Sequence, residues 1–306
     1  MSNSRLKIWL SAFRLRTLPL ALSCIFMGAA LTFSLKKFNI FIFIGAMFTT
    51  IFLQVLSNLA NDYGDGVKGT DNKDRIGPTR AVQSGEISLN AMKSAIIVTA
   101  TLSLFSGLTL LFLSFGASHF LLTFFFLLLG IISIAAAIKY TVGENAYGYS
   151  GLGDVAVFIF FGLIGVLGSH FLYTQSCSWS HLLLAMCIGL LSVGVLNLNN
   201  MRDIENDRVS NKSTIPVKLG LEKAKKYHFV LLLSAMLCLV FYVFSQFTSI
   251  FGLLPLLVFP IVLNHLMEVN RCNLNRDFNP MLAKLAISTF LLSILFFVGE
   301  FLKSIA

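Results

Sequence analysis

The sequence predicts an all-α fold: a polytopic membrane protein with nine transmembrane helices. Three observations lead there. First, 56% of the 306 residues are hydrophobic and only 12% are charged, at a mean hydropathy of +0.82, whereas a soluble domain carries about 25% charged residues. Second, the apolar residues fall into segments of about 20, the length that crosses a ~30 Å hydrocarbon core at 1.5 Å per residue. Third, the basic residues gather in alternate loops.

The spans are expected near 17–35, 39–60, 92–115, 119–138, 152–172, 180–200, 227–246, 249–268 and 282–302. Ahead of the first, "MSNSRLKIWLSAFRLRTLPL" is basic but lacks the short apolar run and small-residue cleavage pattern of a signal peptide. The loops near 61–91, 139–151, 201–226 and 269–281 share the side of the N-terminal tail. Of the 23 lysines and arginines, only Lys36, Lys37 and Lys303 fall on the other side. The positive-inside rule makes the basic side cytoplasmic, which accounts for the net charge of +9 without a nucleic-acid partner. The expected location is the cell (inner) membrane, multi-pass, with a cytoplasmic N-terminus. Five cysteines without a C-x-x-C and five histidines without metal-ligand spacing read as core or interfacial residues.

Thirteen of the 14 acids, all but Glu300, also lie on the basic side. Acids contribute little to topology, so they need another cause. The loop "NLANDYGDGVKGTDNKDRIGPTR" (58–80) extends the second span. Asn58, Asp62 and Asp65 recur at i, i+4 and i+7, and Asn61 and Asp65 at i and i+4, on one helical face. The loop "NLNNMRDIENDRVSNKSTIPVKLG" (197–220) extends the sixth span, with Asn199, Asp203 and Asp207 at i, i+4 and i+8. Stacked carboxylates repel and resist desolvation. A hard divalent cation such as Mg²⁺ reverses both costs, taking oxygen ligands from carboxylates, water and phosphate. Bases follow each cluster: Lys68, Lys73, Arg75 and Arg80 after the first, Arg208, Lys212 and Lys218 after the second. Acids for metal beside bases for phosphate suit a phosphorylated substrate.

Shifting the sequence by 138 places sets Asn61 on Asn199, Asp65 on Asp203, Pro78 on Pro216 and Arg80 on Lys218. The chain is therefore read as one transmembrane domain, 1–306, with a possible internal repeat of helices 1–4 and 5–8. Membrane transporters also use repeats, so a cation-coupled transporter stays open at this point. Its acids would be expected near the bilayer midplane rather than at one face.

"NDYGD" (61–65) and "DIEND" (203–207) resemble the paired aspartate-rich motifs of the UbiA superfamily of intramembrane prenyltransferases. Together with "RLRTLPLALSCIFMGAAL" and "YTVGENAYGYSGLGDVAVFIFFG", they look like its 1,4-dihydroxy-2-naphthoate polyprenyltransferase branch, of menaquinone biosynthesis. The resemblance covers residues 14 to about 226. It implies nine helices around a central cavity, Mg²⁺ held by Asn61, Asp65, Asp203 and Asp207, and polyprenyl diphosphate and aromatic acid substrates. Lys68, Arg80, Lys212 and Arg14 would face the diphosphate. Asp62, Tyr140, Asp154 and Asn199 are candidates for acceptor binding or catalysis. Another acceptor, 4-hydroxybenzoate or a tetrapyrrole, is the alternative. Two departures stand out. The last position of the family's N-D-x-x-D-x-x-x-D motif is Gly69 here, with Asp71 two residues on. The family's tyrosine followed four residues later by lysine is Tyr140 and Glu144 here.

Overall fold

The computed structural model describes residues 2–71 and 76–306, with side chains from residue 5 onward. Lys73, Asp74 and Arg75 of the first acidic loop lie outside the described residues. Among the described residues, nine helices are long and apolar enough to cross a membrane. In chain order these spans are Arg5–Ala30, Ile40–Lys68, Leu89–Phe115, Phe120–Lys139, Gly153–Thr174, His181–Arg202, Leu221–Ser245, Ile250–Arg271 and Asn275–Ile305. The expected number and order hold, and the differences lie at the ends.

The second span runs unbroken from Ile40 to Lys68, past its expected end at residue 60. Asn39 caps its start by accepting from Phe41 N (2.9 Å) and Ile42 N (3.3 Å), which satisfies amides that a helix leaves open. The first span is in two pieces, Ser2–Phe13 and Leu18–Ala30. Between them Arg14 adopts a left-handed conformation, φ 50° and ψ 53°, which costs a non-glycine residue about 1–2 kcal/mol. The turn is held by side chains. Asn58 Nδ2 donates to Phe13 O (2.9 Å) and to Thr17 Oγ1 (3.0 Å), and Thr17 Oγ1 donates to Arg14 O (2.9 Å). Pro19 then starts the next helix, where its missing N–H has no partner to lose.

Lipid tails are as apolar as leucine, so packing rather than the hydrophobic effect joins the spans. The sixth is the most enclosed, held by the fifth, seventh and ninth. The fourth buries no residue fully and shows lipid Phe120, Leu121, Phe124, Phe125 and Leu128. Small residues set the close approaches. A Cβ on Gly162 of the fifth span would lie 2.6 Å from Ala185 O of the sixth, and one on Gly28 of the first would lie 2.5 Å from Val166 O of the fifth. Away from the acidic loops, Phe26, Phe43 and Phe297 join the first, second and ninth spans edge to face and stacked, with ring centroids 5.1–5.6 Å apart. The fifth span contains a π-helical stretch, Phe158–Gly168, of the kind often found where a helix lines a site.

Replacing Gly28 by alanine is expected to lower stability by about 1–3 kcal/mol, because the new methyl must displace backbone. Gly130 meets nothing within 4 Å, so Gly130→Ala serves as the control. Thermal unfolding midpoints in detergent should fall for Gly28→Ala and hold or rise for Gly130→Ala.

Candidate active site

The first six spans and Leu282 of the ninth enclose a cavity of about 500 Å³. Its body is apolar, walled by residues such as Leu53, Leu108, Leu127, Phe160 and Ile164. Its mouth is polar and lies where the two acidic loops and the 140–151 loop meet. Asn61, Asp65, Asp71, Asn199, Asp203 and Asp207 all line it.

The second span delivers its polar residues at 100° per residue. Asn58, Asn61 and Asp65 fall within one sector and line the cavity. Asp62 stands about 100° round from Asn61 and about 40° from Asn58, at the flank of that sector. It is 1% exposed and faces a smaller pocket of about 230 Å³ shared with Arg14, Arg16 and Arg80. Asn58, Asp62 and Asp65 thus share one face of the helix, within about 60°, but Asp62 is not among the residues that line the main cavity. Asp154 does not line it either. Its carboxylate accepts from Tyr227 Oη (3.0 Å) on the seventh span, and burial raises the local cost of its charge.

The remaining acids are neutralised one by one. The sixth span ends at Arg202, and Asp203 sits at a kink before the short helix Ile204–Val209. The kink keeps helical bonding, Asp203 N to Asn199 O (3.1 Å) and Asp207 N to Asp203 O (2.8 Å), so both carboxylates still project to one side. Arg202 forks onto Asp203, with Nε–Oδ1 2.9 Å and Nη2–Oδ2 2.5 Å, and also reaches Asn199 and Asn279. Asp65 Oδ1 accepts from Tyr149 Oη (2.7 Å). Lys212 Nζ lies 3.7 Å from Asp207 Oδ1, while Asp207 Oδ2 is buried without a partner. Burial pushes the Asp207 carboxyl up to about 6, against the pull of Lys212. Burial also opposes the Lys212 charge, but Asp65 and Asp207 hold that ammonium well above its ordinary value.

Among the bases, Arg14, Arg80 and Lys212 line the cavity. Lys68 does not. Its ammonium sits over the Tyr149 ring, 3.9 Å from the centroid, a cation–π contact. Arg80 Nε lies 3.8 Å from Asp71 Oδ2. Gly69 is the left-handed C-cap of the second span, φ 73°, a conformation that aspartate adopts less readily than glycine. The chain then turns so that Asp71, not residue 69, enters the cavity. Tyr140 lines the mouth, and burial raises its phenol above the ordinary range. Glu144 is not among the lining residues, whereas Lys212 is.

Sequence reasoning missed Tyr149, Thr70, Arg202, Asn206 and Thr141. Thr141 Oγ1 donates to Asn61 Oδ1 (3.2 Å), and Asn206 Nδ2 donates to Thr70 O (2.8 Å) across the mouth. Adjacency to Asp203 was the one available signal for Arg202; the others come from loops whose pairing only folding sets.

A hard cation fits this donor set. The lining acids and amides offer oxygen, with no histidine or cysteine among them at the mouth, and Asp207 Oδ2 lacks a partner. Among the described residues no three acidic, histidine or cysteine side chains close on one point. Phosphate and water oxygens would complete each shell, as Mg²⁺ commonly allows.

Arg202→Ala removes the guanidinium fork from the buried Asp203 carboxylate, and breaking a buried ion pair is expected to cost about 3–5 kcal/mol. Arg202→Lys keeps the charge but loses the fork and should cost less. Chemical or thermal unfolding in detergent should rank wild type above Arg202→Lys above Arg202→Ala.

Residues 18–294 match the model of the UbiA prenyltransferase family. The chain is 42% identical over 301 residues to the 1,4-dihydroxy-2-naphthoate octaprenyltransferase of Escherichia coli (strain K12), covering 98% of this chain and 97% of that relative. Two solved structures share the fold. A UbiA homolog from Aeropyrum pernix K1 superposes with a TM-score of 0.71 at 17% identity, over 95% of this chain and 98% of that one. A UbiA homolog from Archaeoglobus fulgidus bound to DMAPP and Mg²⁺ gives 0.65 at 15% identity, over 96% and 99%. With a family match over most of its length, and a polar mouth above an apolar cavity within nine spans, this chain belongs to the UbiA prenyltransferase family.

Proposed function

We propose that this protein transfers a polyprenyl group from polyprenyl diphosphate to 1,4-dihydroxy-2-naphthoate, releasing diphosphate and carbon dioxide and giving demethylmenaquinol. The observation that carries this reading is the placement of two oxygen-rich clusters and three cavity-lining bases at the mouth of one long apolar cavity. The 42% identity to a relative of that named activity selects the acceptor.

Asn61 and Asp65 on one wall, with Asp203 and Asp207 on the other, would hold Mg²⁺. The metal would neutralise the diphosphate and stabilise it as a leaving group. Lys212, Arg14 and Arg80 add fixed positive charge where negative charge develops, an electrostatic contribution made before the reaction starts. The allylic C–O bond breaks with its electron pair on the diphosphate. The apolar walls keep water from the resulting cation. The electron-rich ring attacks at the carbon bearing the carboxylate, forming the new C–C bond. Carbon dioxide then leaves, and its bonding pair restores the aromatic quinol, so no oxidant is needed. A carboxylate in a low-dielectric cavity is costly unless paired, and its loss relieves that cost.

Purified protein given Mg²⁺, polyprenyl diphosphate and acceptor labelled at the carboxyl carbon should yield labelled carbon dioxide and unlabelled prenylated quinol in equal amounts, by mass spectrometry. Chelating the metal should stop both. Prenylated product that retains the label rejects this acceptor chemistry.

The reading places the mouth and the N-terminus in the cytoplasm, with the 175–180 loop outside. Cys177 is in that loop and exposed, and the other four cysteines are buried. A membrane-impermeant maleimide should label Cys177 in intact spheroplasts and fail on Cys177→Ser. Labelling that appears only after lysis would reverse the orientation.

A further inference from the structure

Tyr149 stands where three loops meet, and no part of the proposed reaction uses it. Its hydroxyl donates to Asp65 Oδ1 at 2.7 Å. Because that proton is committed, Thr70 Oγ1, 2.6 Å away, donates to the phenol oxygen. The result is a short relay, Thr70 to Tyr149 to Asp65, in which each bond polarises the next. The ring lies under Lys68 Nζ at 3.9 Å and within 5.4 Å of Lys212 Nζ. The same residue also faces the second cluster. Its carbonyl accepts from Ser213 N at 2.9 Å, next to the Lys212 that reaches Asp207. Asn206 Nδ2 donates to Thr70 O at 2.8 Å, and Thr70 N donates to Asp65 O at 3.0 Å.

We propose that Tyr149 is a positioning residue that orients the Asp65 carboxylate toward the cavity and ties it to the Asp203–Asp207 cluster, so that the two halves of the cation and diphosphate site form together. The inference rests on the metal reading given above. The physical reason is orientation. A carboxylate on a helix end rotates freely about its last torsion unless one oxygen is held. The phenol holds Oδ1, and Asp65 still faces the cavity. Outer groups that orient metal ligands in this way change metal affinity by about 10- to 100-fold when removed. Neither Tyr149 nor Lys68 is among the residues that line the cavity, and the Lys68 ammonium rests on the Tyr149 ring.

The test uses Mn²⁺ as a paramagnetic stand-in and inorganic diphosphate as the anion, titrated into the full-length protein in detergent and read by electron paramagnetic resonance. Tyr149→Phe keeps the ring, the Lys68 contact and the carbonyl bond to Ser213, and removes only the hydroxyl. It should raise the Mn²⁺ half-saturation about tenfold, with a thermal midpoint lowered only modestly by the donor that Asp65 loses and an unchanged acceptor KM in turnover assays at saturating Mg²⁺. Thr70→Val, which removes the donor to the phenol, should shift the titration in the same direction by less. A Tyr149→Phe titration that superimposes on wild type overturns the inference and leaves the metal reading standing. Wild-type protein that binds no Mn²⁺ with diphosphate overturns both.

Discussion

The site depends on keeping several carboxylates charged at the edge of a hydrocarbon layer. Asp65, Asp203 and Asp207 are each at most 9% exposed, and a buried unpaired charge is not sustainable. Each has a different remedy. Arg202 forks onto Asp203, Tyr149 donates to Asp65, and Lys212 lies against Asp207 while feeling Asp65 as well. The remedies are incomplete, as the unpartnered Asp207 Oδ2 shows. That deficit leaves an open oxygen at the mouth where a closed ion-pair network would have none.

The surrounding architecture serves this arrangement. The second span must stay helical past the hydrophobic stretch to bring Asn61 and Asp65 to the same mouth as Asp203. It ends only at Gly69, where a left-handed cap turns the chain. The sixth span must end at Arg202 and kink at Asp203 without losing its hydrogen bonds. The strained turn at Arg14 is held by Asn58 and Thr17, and it presents an arginine to the cavity where a straight helix would pass by. The seventh and eighth spans do not line the cavity. They pack around the sixth and ninth, with His228 and His265 in contact at 3.2 Å between them.

The apolar body of the cavity and its polar mouth have opposite solvation needs. A diphosphate needs charge and hydrogen bonds, while an isoprenoid chain and a carbocation need their absence. Placing the boundary at the end of the second and sixth spans satisfies both. The residues just below the carboxylates, Asn58 and Asn199, are neutral amides, and leucine and phenylalanine follow. Charge thus decreases with depth over a few helical turns.

Sequence alone determined the fold class, the number of spans, the pairing of acidic clusters with bases, and the family. The first three depend on composition and on spacing along one helix, which are local, and the family on the resemblance of its motifs. It placed Asn61, Asp65, Asp203, Asp207, Lys212 and Tyr140 together at one mouth, as the structure does. The spacing argument put Asp62 on one face with Asn58 and Asp65, but it could not tell that Asp62 lines the smaller pocket beside Arg16 rather than the main cavity. The contacts of Lys68 and Asp154 were not legible in the sequence, because their partners, Tyr149 and Tyr227, are about 80 and 70 residues away and no periodicity links them. Tertiary structure alone decided which carboxylate each cation neutralises, that Tyr149 joins the two clusters, and that Gly69 sends Asp71 inward. Those choices are set by how loops from separate spans pack, and the free energy of that packing is not written in any one segment.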